Sequence, residues 1–276
     1  IGIGYRAAYG ATSSDPSGDY NIALGANSLF GYTSAANNVA IGQISLYSLT
    51  TGYNNIAMGE SAGYNLTTGY QNVFLGSSSG GTMTTGDSNV GIGLNALANA
   101  ISGVGNVAIG NNAFRTASGG AAGNWNVVIG YNAALNATNT SHVQNVAIGL
   151  SAMDHLAGGD NNIAIGANAF TGLSSAGGIT GSYNIALGYE AAKHAGGATG
   201  IIALGRGAAN YQTTASNSIY LGLYAGRGTY QVSAASDDNI GIGQYALNVV
   251  TTGDTNVAIG KRAAAALTTG TNNILI

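Results

Sequence analysis

Hydrophobic and polar positions alternate along this chain in a short motif that returns at nearly constant spacing. In each copy an Ile or Val, a mostly small residue, and an Ile, Leu or Met precede a glycine, and an Ala or Ser stands three positions after it. The fifteen copies are centred on Gly4, Gly25, Gly42, Gly59, Gly76, Gly93, Gly110, Gly130, Gly149, Gly166, Gly188, Gly205, Gly222, Gly243 and Gly260. Nine of the fourteen intervals span seventeen positions, and the other five span nineteen to twenty-two. The chain is a tandem repeat, so one repeat predicts its fold.

The repeat reads N-[IV]-x-[ILM]-G-x-x-[AS], and it predicts a short strand ending at a glycine. Clear copies are Asn38-Val39-Ala40-Ile41-Gly42, Asn106-Val107-Ala108-Ile109-Gly110 and Asn162-Ile163-Ala164-Ile165-Gly166. Two aliphatic side chains point to one face and the small residue to the other, and we expect the aliphatic pair to be buried. The glycine is expected at a corner that needs positive φ or close backbone approach. Short strands at this period predict an all-β fold, a β-solenoid of about 15 coils stacked at ~4.8 Å.

Two further positions of the repeat bear on assembly. Position +4, counted from the motif glycine, carries a second apolar stripe that includes Leu29, Leu46 and Phe114, and we expect it to pack against other chains. The Asn before the strand predicts amides that hydrogen-bond from coil to coil. Residues 1–276 are predicted to form a single β-solenoid domain. Neither end shows a capping sequence, so we expect a segment of a longer fibre.

The copies quoted above resemble the head repeats of trimeric autotransporter adhesins, which read roughly N-S-V-A-I-G-x-x-[AS]. The recurring T-T-G steps that precede many copies are also similar to repeats of bacteriophage tail fibres. The resemblance covers essentially the whole chain, although the adhesin unit is shorter than the repeat of this sequence. It implies a left-handed parallel β-roll in which three chains associate about a common axis.

Composition narrows the range of functions. Charged residues are 6% of the chain, against about 25% in ordinary proteins, and seven Lys and Arg in 276 residues predict no nucleic-acid partner. No apolar run is long enough for a membrane-spanning helix, so this segment is not expected to insert into a membrane. Cysteine is absent, which excludes disulfides and thiolate metal sites. We predict neither cofactor nor metal, because His155 and His194 lie two coils apart, roughly 10 Å, too far to share an ion.

Catalysis is not expected, so ligand recognition is sought in the enlarged coils. Glu60 and Glu190 are seven coils apart, far beyond the ~5–10 Å that paired carboxylates need in glycoside hydrolysis. The enlarged coils lie near Ala11–Asp19, Ser118–Gly123, Asn139–Val143, Ser174–Gly181 and Thr229–Ser236. Five tyrosines near the last of them are candidate ligand-binding residues, because exposed rings can stack on sugars: Tyr211, Tyr220, Tyr224, Tyr230 and Tyr245. The alternative is that these tyrosines simply suit a β-rich repeat.

These observations predict a structural, non-enzymatic, extracellular protein. The first hypothesis is the shaft or head of a homotrimeric phage tail fibre, a virion component that mediates host attachment. The second is a bacterial trimeric surface adhesin that binds host matrix or glycans. A third, an ice-binding solenoid, is weakened because the T-T-G steps are missing from many coils. A cell-surface glycan or a protein receptor is the expected partner beyond the trimer.

Overall fold

The computed structural model describes residues 1–10, 17–116, 123–138, 142–172, 178–229 and 235–276. Parts of all five enlarged coils therefore lie outside the described residues. The backbone forms two compact units, Ile1–Ser141 and His142–Ile276, and each is described by itself.

The described residues contain short strands joined by turns, and no helix. In the first unit the strands are β1 (Gly2–Ile3), β2 (Ile22–Leu24), β3 (Val39–Ile41), β4 (Ile56–Met58), β5 (Val73–Leu75), β6 (Val90–Ile92), β7 (Val107–Ile109) and β8 (Val127–Ile129). In the second they are β9 (Val146–Ile148), β10 (Ile163–Ile165), β11 (Ile185–Leu187), β12 (Ile202–Leu204), β13 (Ile219–Leu221), β14 (Ile240–Ile242), β15 (Val257–Ile259) and β16 (Ile274–Leu275).

Within each unit, each strand pairs in parallel with the strand of the next repeat, in chain order. Equivalent motif positions meet in ordinary and in enlarged coils alike. Ala40 pairs with Ala57 across an ordinary coil, and Ala164 pairs with Ala186 across the longest interval of the motif. The extra residues of an enlarged coil therefore leave the register of the strands unchanged. The prediction of an all-β solenoid of about 15 coils, one for each copy of the motif, is confirmed.

The two faces of the strands are the reverse of the prediction. In β3 and β7 the central residues, Ala40 and Ala108, are completely buried, whereas the flanking aliphatic residues are only partly covered. The same pattern holds in β10, where Ala164 is buried and Ile165 is exposed. The alternation of large and small residues along a strand separates its two faces, but it does not determine which face points inward. The interior of a coil is narrow, so the small residue faces it.

The large apolar side chains of the core come from the turn after the strand. Position +4 is buried in every coil except the first and the last, where Ala8 and Ala264 are partly covered, and this corrects the expectation that the stripe packs against other chains. Its large members are Leu29, Leu46, Leu97, Phe114, Met153, Phe170 and Leu247. Buried residues of the following turn, such as Leu49 and Leu66, complete the core on the other side.

A large residue at the strand centre is matched by glycines around it. Phe74 occupies the centre of β5, and a Cβ added at Gly80 would lie 2.5 Å from its ring. Tyr220 occupies the centre of β13, and a Cβ at Gly226 would overlap its ring. Each coil therefore keeps its interior volume by exchanging side-chain bulk between the strand and position +4.

The motif glycine stands at the corner that the sequence predicts. Gly42 has φ of 126°, and a Cβ there would lie 2.5 Å from the carbonyl oxygen of Gly59 in the next coil. Gly110 and Gly166 have φ of 133° and 132°, and a Cβ would lie 2.5 Å from the next motif glycine at each. Stacked coils thus touch backbone to backbone here, where a side chain has no room.

The asparagine before the strand forms a buried ladder. Nδ2 of Asn55 donates to Oδ1 of Asn38 at 3.0 Å, and to the carbonyl of Gly69 at 2.8 Å. Asn106 and Asn162 occupy the same place and are completely buried. Among the described coils of the second unit, the ladder is interrupted where Ile201 replaces the Asn and where Ser218 does so. The predicted stacking of amides is confirmed.

Candidate functional site

An apolar surface runs along the strands of each unit. The strand face is defined as the outward side chains at the first and third residues of β2 to β8 in the first unit, and of β9 to β15 in the second. Neighbouring coils cover the sides of these aliphatic chains, yet Met58 remains 42% exposed and Ile165 40%. Burying an Ile completely is worth about 1.5–3 kcal/mol, so covering the rest of Ile165 would contribute about 0.6–1.2 kcal/mol. One such pair per coil makes a large apolar surface.

A second surface feature is a ladder of aromatic rings in the first unit. Tyr9, Phe30, Tyr47 and Tyr64 all stand at position +5, and their rings stack from coil to coil. The ring centroids are 5.6, 5.1 and 5.2 Å apart in that order. The guanidinium of Arg6 lies 5.9 Å from the centroids of both Tyr9 and Phe30, beside the first two rings. The repeat therefore turns one position into a column of parallel rings.

The aromatic ladder ends at Tyr64, because the next residues at position +5 have no ring. Gly81 and Ala98 take position +5 in the next two coils. A groove of about 440 Å³ lies there, lined by Tyr64, Gly81 and Ala98 and by side chains of positions +2 and +6. Its size falls within the range of small-ligand sites, about 300–1,000 Å³.

The second unit carries tyrosines and arginines on one surface. The guanidinium carbon of Arg227 lies 5.5 Å from the Tyr211 centroid and 5.1 Å from the Tyr224 centroid. That of Arg206 lies 5.5 Å from Tyr189 and 5.9 Å from Tyr224. We call these five residues the Tyr–Arg cluster.

Tyr245 extends the Tyr–Arg cluster by one coil. Its ring stacks on Tyr224 at 5.6 Å, and Arg262 lies 5.9 Å from its centroid. Within the described residues Lys193 forms a salt bridge with Glu190, and Nδ1 of His155 lies 3.3 Å from a carboxylate oxygen of Asp154, whereas no arginine takes part in a salt bridge. No carboxylate of the described residues thus neutralises the guanidinium groups of the cluster, and cation–π attraction holds them beside the aromatic faces.

The structure brings Tyr211, Tyr224 and Tyr245 together on this surface but separates Tyr220 from them. Tyr220 is completely buried, so its ring offers no face to a ligand, which corrects the expectation for this residue. Burial raises the pKa of the Tyr220 phenol, and its hydroxyl lies 3.4 Å from Oγ of Ser236. Tyr230 lies outside the described residues. Period-2 alternation places Tyr220 at the strand centre, which is the signal that would have found it.

His194 adjoins the Tyr–Arg cluster and stacks on Tyr211 at 5.1 Å. Burial, followed by the charge of Lys193, lowers the pKa of His194, whereas Glu190 acts in the opposite sense. The imidazole is therefore held in its neutral form more strongly than in an exposed histidine.

Metal-binding and membrane-spanning features were sought in the described ranges. No group of three or more His, Asp or Glu side chains there is placed to hold a metal ion. No helix in that part of the chain is long and apolar enough to cross a bilayer.

The chain matches no protein-family model and no curated protein sequence. Function is therefore argued from the strand face, the aromatic ladder with its groove, and the Tyr–Arg cluster. Sequence reasoning missed the ladder, although Tyr9, Phe30, Tyr47 and Tyr64 share one register and the repeat spacing alone indicates a column.

Proposed function

We propose that this protein is a structural segment of a trimeric fibre, the shaft or head of a tail fibre that mediates attachment to a host cell. The observation that carries the proposal is the strand face, which in each unit is a row of Ile, Val, Leu and Met side chains that point away from the core. Such a surface is typical of a face that another chain covers. The resemblance of the repeat to trimeric fibre proteins supports three chains, a left-handed coil and an extracellular location.

The strand face suits assembly in parallel copies. Because its side chains recur once per coil, a second chain aligned along the same direction would meet the same side chains at every coil. A homotrimer would also present each surface site three times, so that weak contacts gain avidity. The apolar face, with no charge in any strand from β2 to β15, favours this permanent type of interface.

The oligomer is tested by light scattering of the purified protein during size-exclusion chromatography. The expected mass is three times the 27.2 kDa of one chain. A monodisperse monomer over the accessible concentration range would overturn the proposal.

A pair of matched variants tests whether the strand face is the interface. Met58→Lys introduces a charge on β4, at a side chain that is 42% exposed. Ile101→Lys introduces the same charge outside the strands, between β6 and β7, at a side chain that is 44% exposed. We expect Met58→Lys to dissociate or destabilise the trimer, because three like charges would meet in an apolar interface, and Ile101→Lys to leave its mass unchanged. Equal behaviour of the two variants would contradict the assignment.

The Tyr–Arg cluster favours a second candidate function, that of a surface adhesin head whose sides bind host matrix or glycans. Tyrosine faces stack on sugars, and unpaired guanidinium groups bind carboxylates or sulfates. Binding of wild-type protein to acidic glycans on an array, lost in Arg206→Ala with Arg227→Ala, would support this function. Absence of binding would leave the fibre proposal intact and reject the adhesin.

An ice-binding surface is the weakest of the three hypotheses. Such a surface needs rows of hydroxyl groups directed at solvent. The hydroxyls of Thr50 and Thr67 instead donate to carbonyl groups of the next coil, at 3.0 and 2.9 Å.

A further inference from the structure

The groove at the end of the aromatic ladder combines one aromatic face with neutral polar walls. Tyr64 is the last ring of the ladder, and Tyr47 covers one of its faces at 5.2 Å. On the other side, Gly81 and Ala98 continue the column without rings, and the groove borders them. One face of Tyr64 is therefore free to stack on a flat ligand.

The polar lining of the groove comes from two other columns of the repeat. Position +2 contributes Ser61, Ser78 and Asn95, and position +6 contributes Asn65, Thr82 and Asn99. Nδ2 of Asn95 donates to Oδ1 of Asn112 at 3.2 Å, and Nδ2 of Asn99 donates to the carbonyl of Thr116 at 3.2 Å. These bonds fix both amides with their Oδ1 atoms as remaining acceptors.

The chemistry of this lining selects a neutral ligand rich in hydroxyl groups. No charged side chain lines the groove, so neither a carboxylate nor a phosphate would find a counter-charge there. Amide oxygens accept from hydroxyls, and Ser and Thr hydroxyls both donate and accept. A pyranose presents C–H groups on one face and hydroxyls around its edge, which matches one aromatic plane beside such walls.

We propose that this groove binds a neutral saccharide, whose pyranose ring stacks on Tyr64 as the next step of the ladder. The rings of the ladder follow one another at 5.1 to 5.6 Å, so a sugar ring at a similar spacing takes the place that a side chain of position 81 would fill. Asn65, Asn95 and Asn99 accept hydrogen bonds from its hydroxyls. This assignment deepens the attachment function proposed above, and it rests on that function for its biological role.

Saturation-transfer difference NMR with methyl β-D-galactopyranoside and methyl β-D-glucopyranoside tests the proposal on the wild-type protein. We expect transfer to the C–H protons of at least one of the two. Tyr64→Ala should weaken binding about two- to tenfold, the loss expected for one aromatic stack. Tyr53→Ala is the control, because Tyr53 is also stacked, at 5.0 Å on Tyr70, and is exposed, but does not line the groove.

A second variant keeps the ladder intact and fills the groove. In Gly81→Tyr the new ring continues the column beyond Tyr64, as Tyr64 itself continues it beyond Tyr47, and excludes the sugar. Its Cβ lies 3.2 Å from the carbonyl oxygen of Ser78, so a shift of a few tenths of an ångström in this turn accommodates it. We expect transfer to vanish in this variant while thermal stability is maintained. Equal transfer in wild type and Gly81→Tyr, or no transfer to either pyranoside, would overturn the proposal.

The oligomer measurement separates this proposal from the fibre proposal. A trimer that binds neither pyranoside rejects the groove and leaves the fibre. A monomer that binds through Tyr64 rejects the trimer and keeps the groove. Transfer to N-acetylneuraminic acid alone, unaffected by Gly81→Tyr, would also reject the groove, because it would place a charged ligand elsewhere.

Discussion

The buried asparagine ladder makes the sharpest prediction for stability, and Asn72 is a member whose amide is bonded on both sides. The Nδ2 group of Asn72 donates to Oδ1 of Asn55 at 3.1 Å and to the carbonyl of Gly86 at 2.7 Å. Its Oδ1 accepts from the backbone N and from Nδ2 of Asn89, at 3.0 and 3.1 Å. Asn72→Ala removes all four bonds from a completely buried position.

The loss of stability in Asn72→Ala comes from the buried polar groups that are left without a hydrogen-bond partner. The Gly86 carbonyl and the backbone N–H of Asn89 are left without these bonds inside the coil stack. Nδ2 of Asn89 still donates to the carbonyl of Gly103 at 2.8 Å. Each buried orphan group costs about 1–3 kcal/mol, so Asn72→Ala should lower the free energy of unfolding by about 2–6 kcal/mol. A water molecule in the space left by the amide would bring the loss towards the lower value.

Urea unfolding followed by circular dichroism measures this loss, with Asn65→Ala as the matched control. Asn65 lies in the same unit, and its side chain is half-buried with no hydrogen bond to the described residues. The control should change the free energy of unfolding by no more than about 0.5 kcal/mol. The reasoning would be refuted if Asn72→Ala lost less than about 1 kcal/mol and thus behaved like the control.

Two further substitutions test the corner glycine and the half-buried histidine. Gly243→Ala places a Cβ 2.5 Å from the carbonyl oxygen of Gly260, whereas Gly260→Ala has nearly the same φ and meets no atom within 4 Å. Gly243→Ala should therefore lower the melting temperature more, and an equal drop would show that φ alone decides. Since the pKa of His194 is lowered in the folded protein, its contribution to stability is complete above about pH 6.5 and is lost as the pH falls through the folded pKa. His194→Phe keeps the stack on Tyr211 but cannot be protonated. Between about pH 7.5 and about pH 5, its free energy of unfolding in urea should therefore fall less than that of the wild type. Equal falls in the two proteins would contradict this.

Much of the fold follows from the sequence because one unit is repeated fifteen times. The strand at Val39–Ile41, the corner at Gly42 and the ladder at Asn38 are all confirmed. These features depend on backbone geometry and on the repetition from coil to coil, and the constant spacing of the motif indicates both.

The inside and outside of the coil could not be assigned in the same way. Large aliphatic residues such as Val39 suggest a core, but the direction of a side chain depends on how the turns close the coil. That closure rests on residues such as Asn27 and Leu29, which take φ of 54° and 47° in the turn after the motif glycine. Left-handed conformations of non-glycine residues are uncommon, and the sequence carries no plain signal for them. The turn sends Leu29 inward and fills the space that the strand aliphatics were expected to occupy.

The candidate site could be predicted only in part for a related reason. Tyr224 and Tyr245 share position +2 and come together as their spacing predicts. Arg206 and Arg227 stand at different positions of the repeat, and only the path of the turns brings both to Tyr224. Tyr220 lies at a strand centre, and its burial depends on Gly226 making room for the ring.

The unchanged register across coils of different length has a consequence for how such a gene changes. Ala108 pairs with Val128 across an enlarged coil, as Ala40 pairs with Ala57 across an ordinary one. Duplication or deletion of one repeat's worth of codons between any two equivalent points would add or remove one coil and rejoin every ladder. Unequal recombination between repeats that share the motif therefore yields folded products of graded length. A length change of another size is already present in the five enlarged coils, where the strand register is retained, so the lengths of individual coils and the number of coils are free to diversify independently.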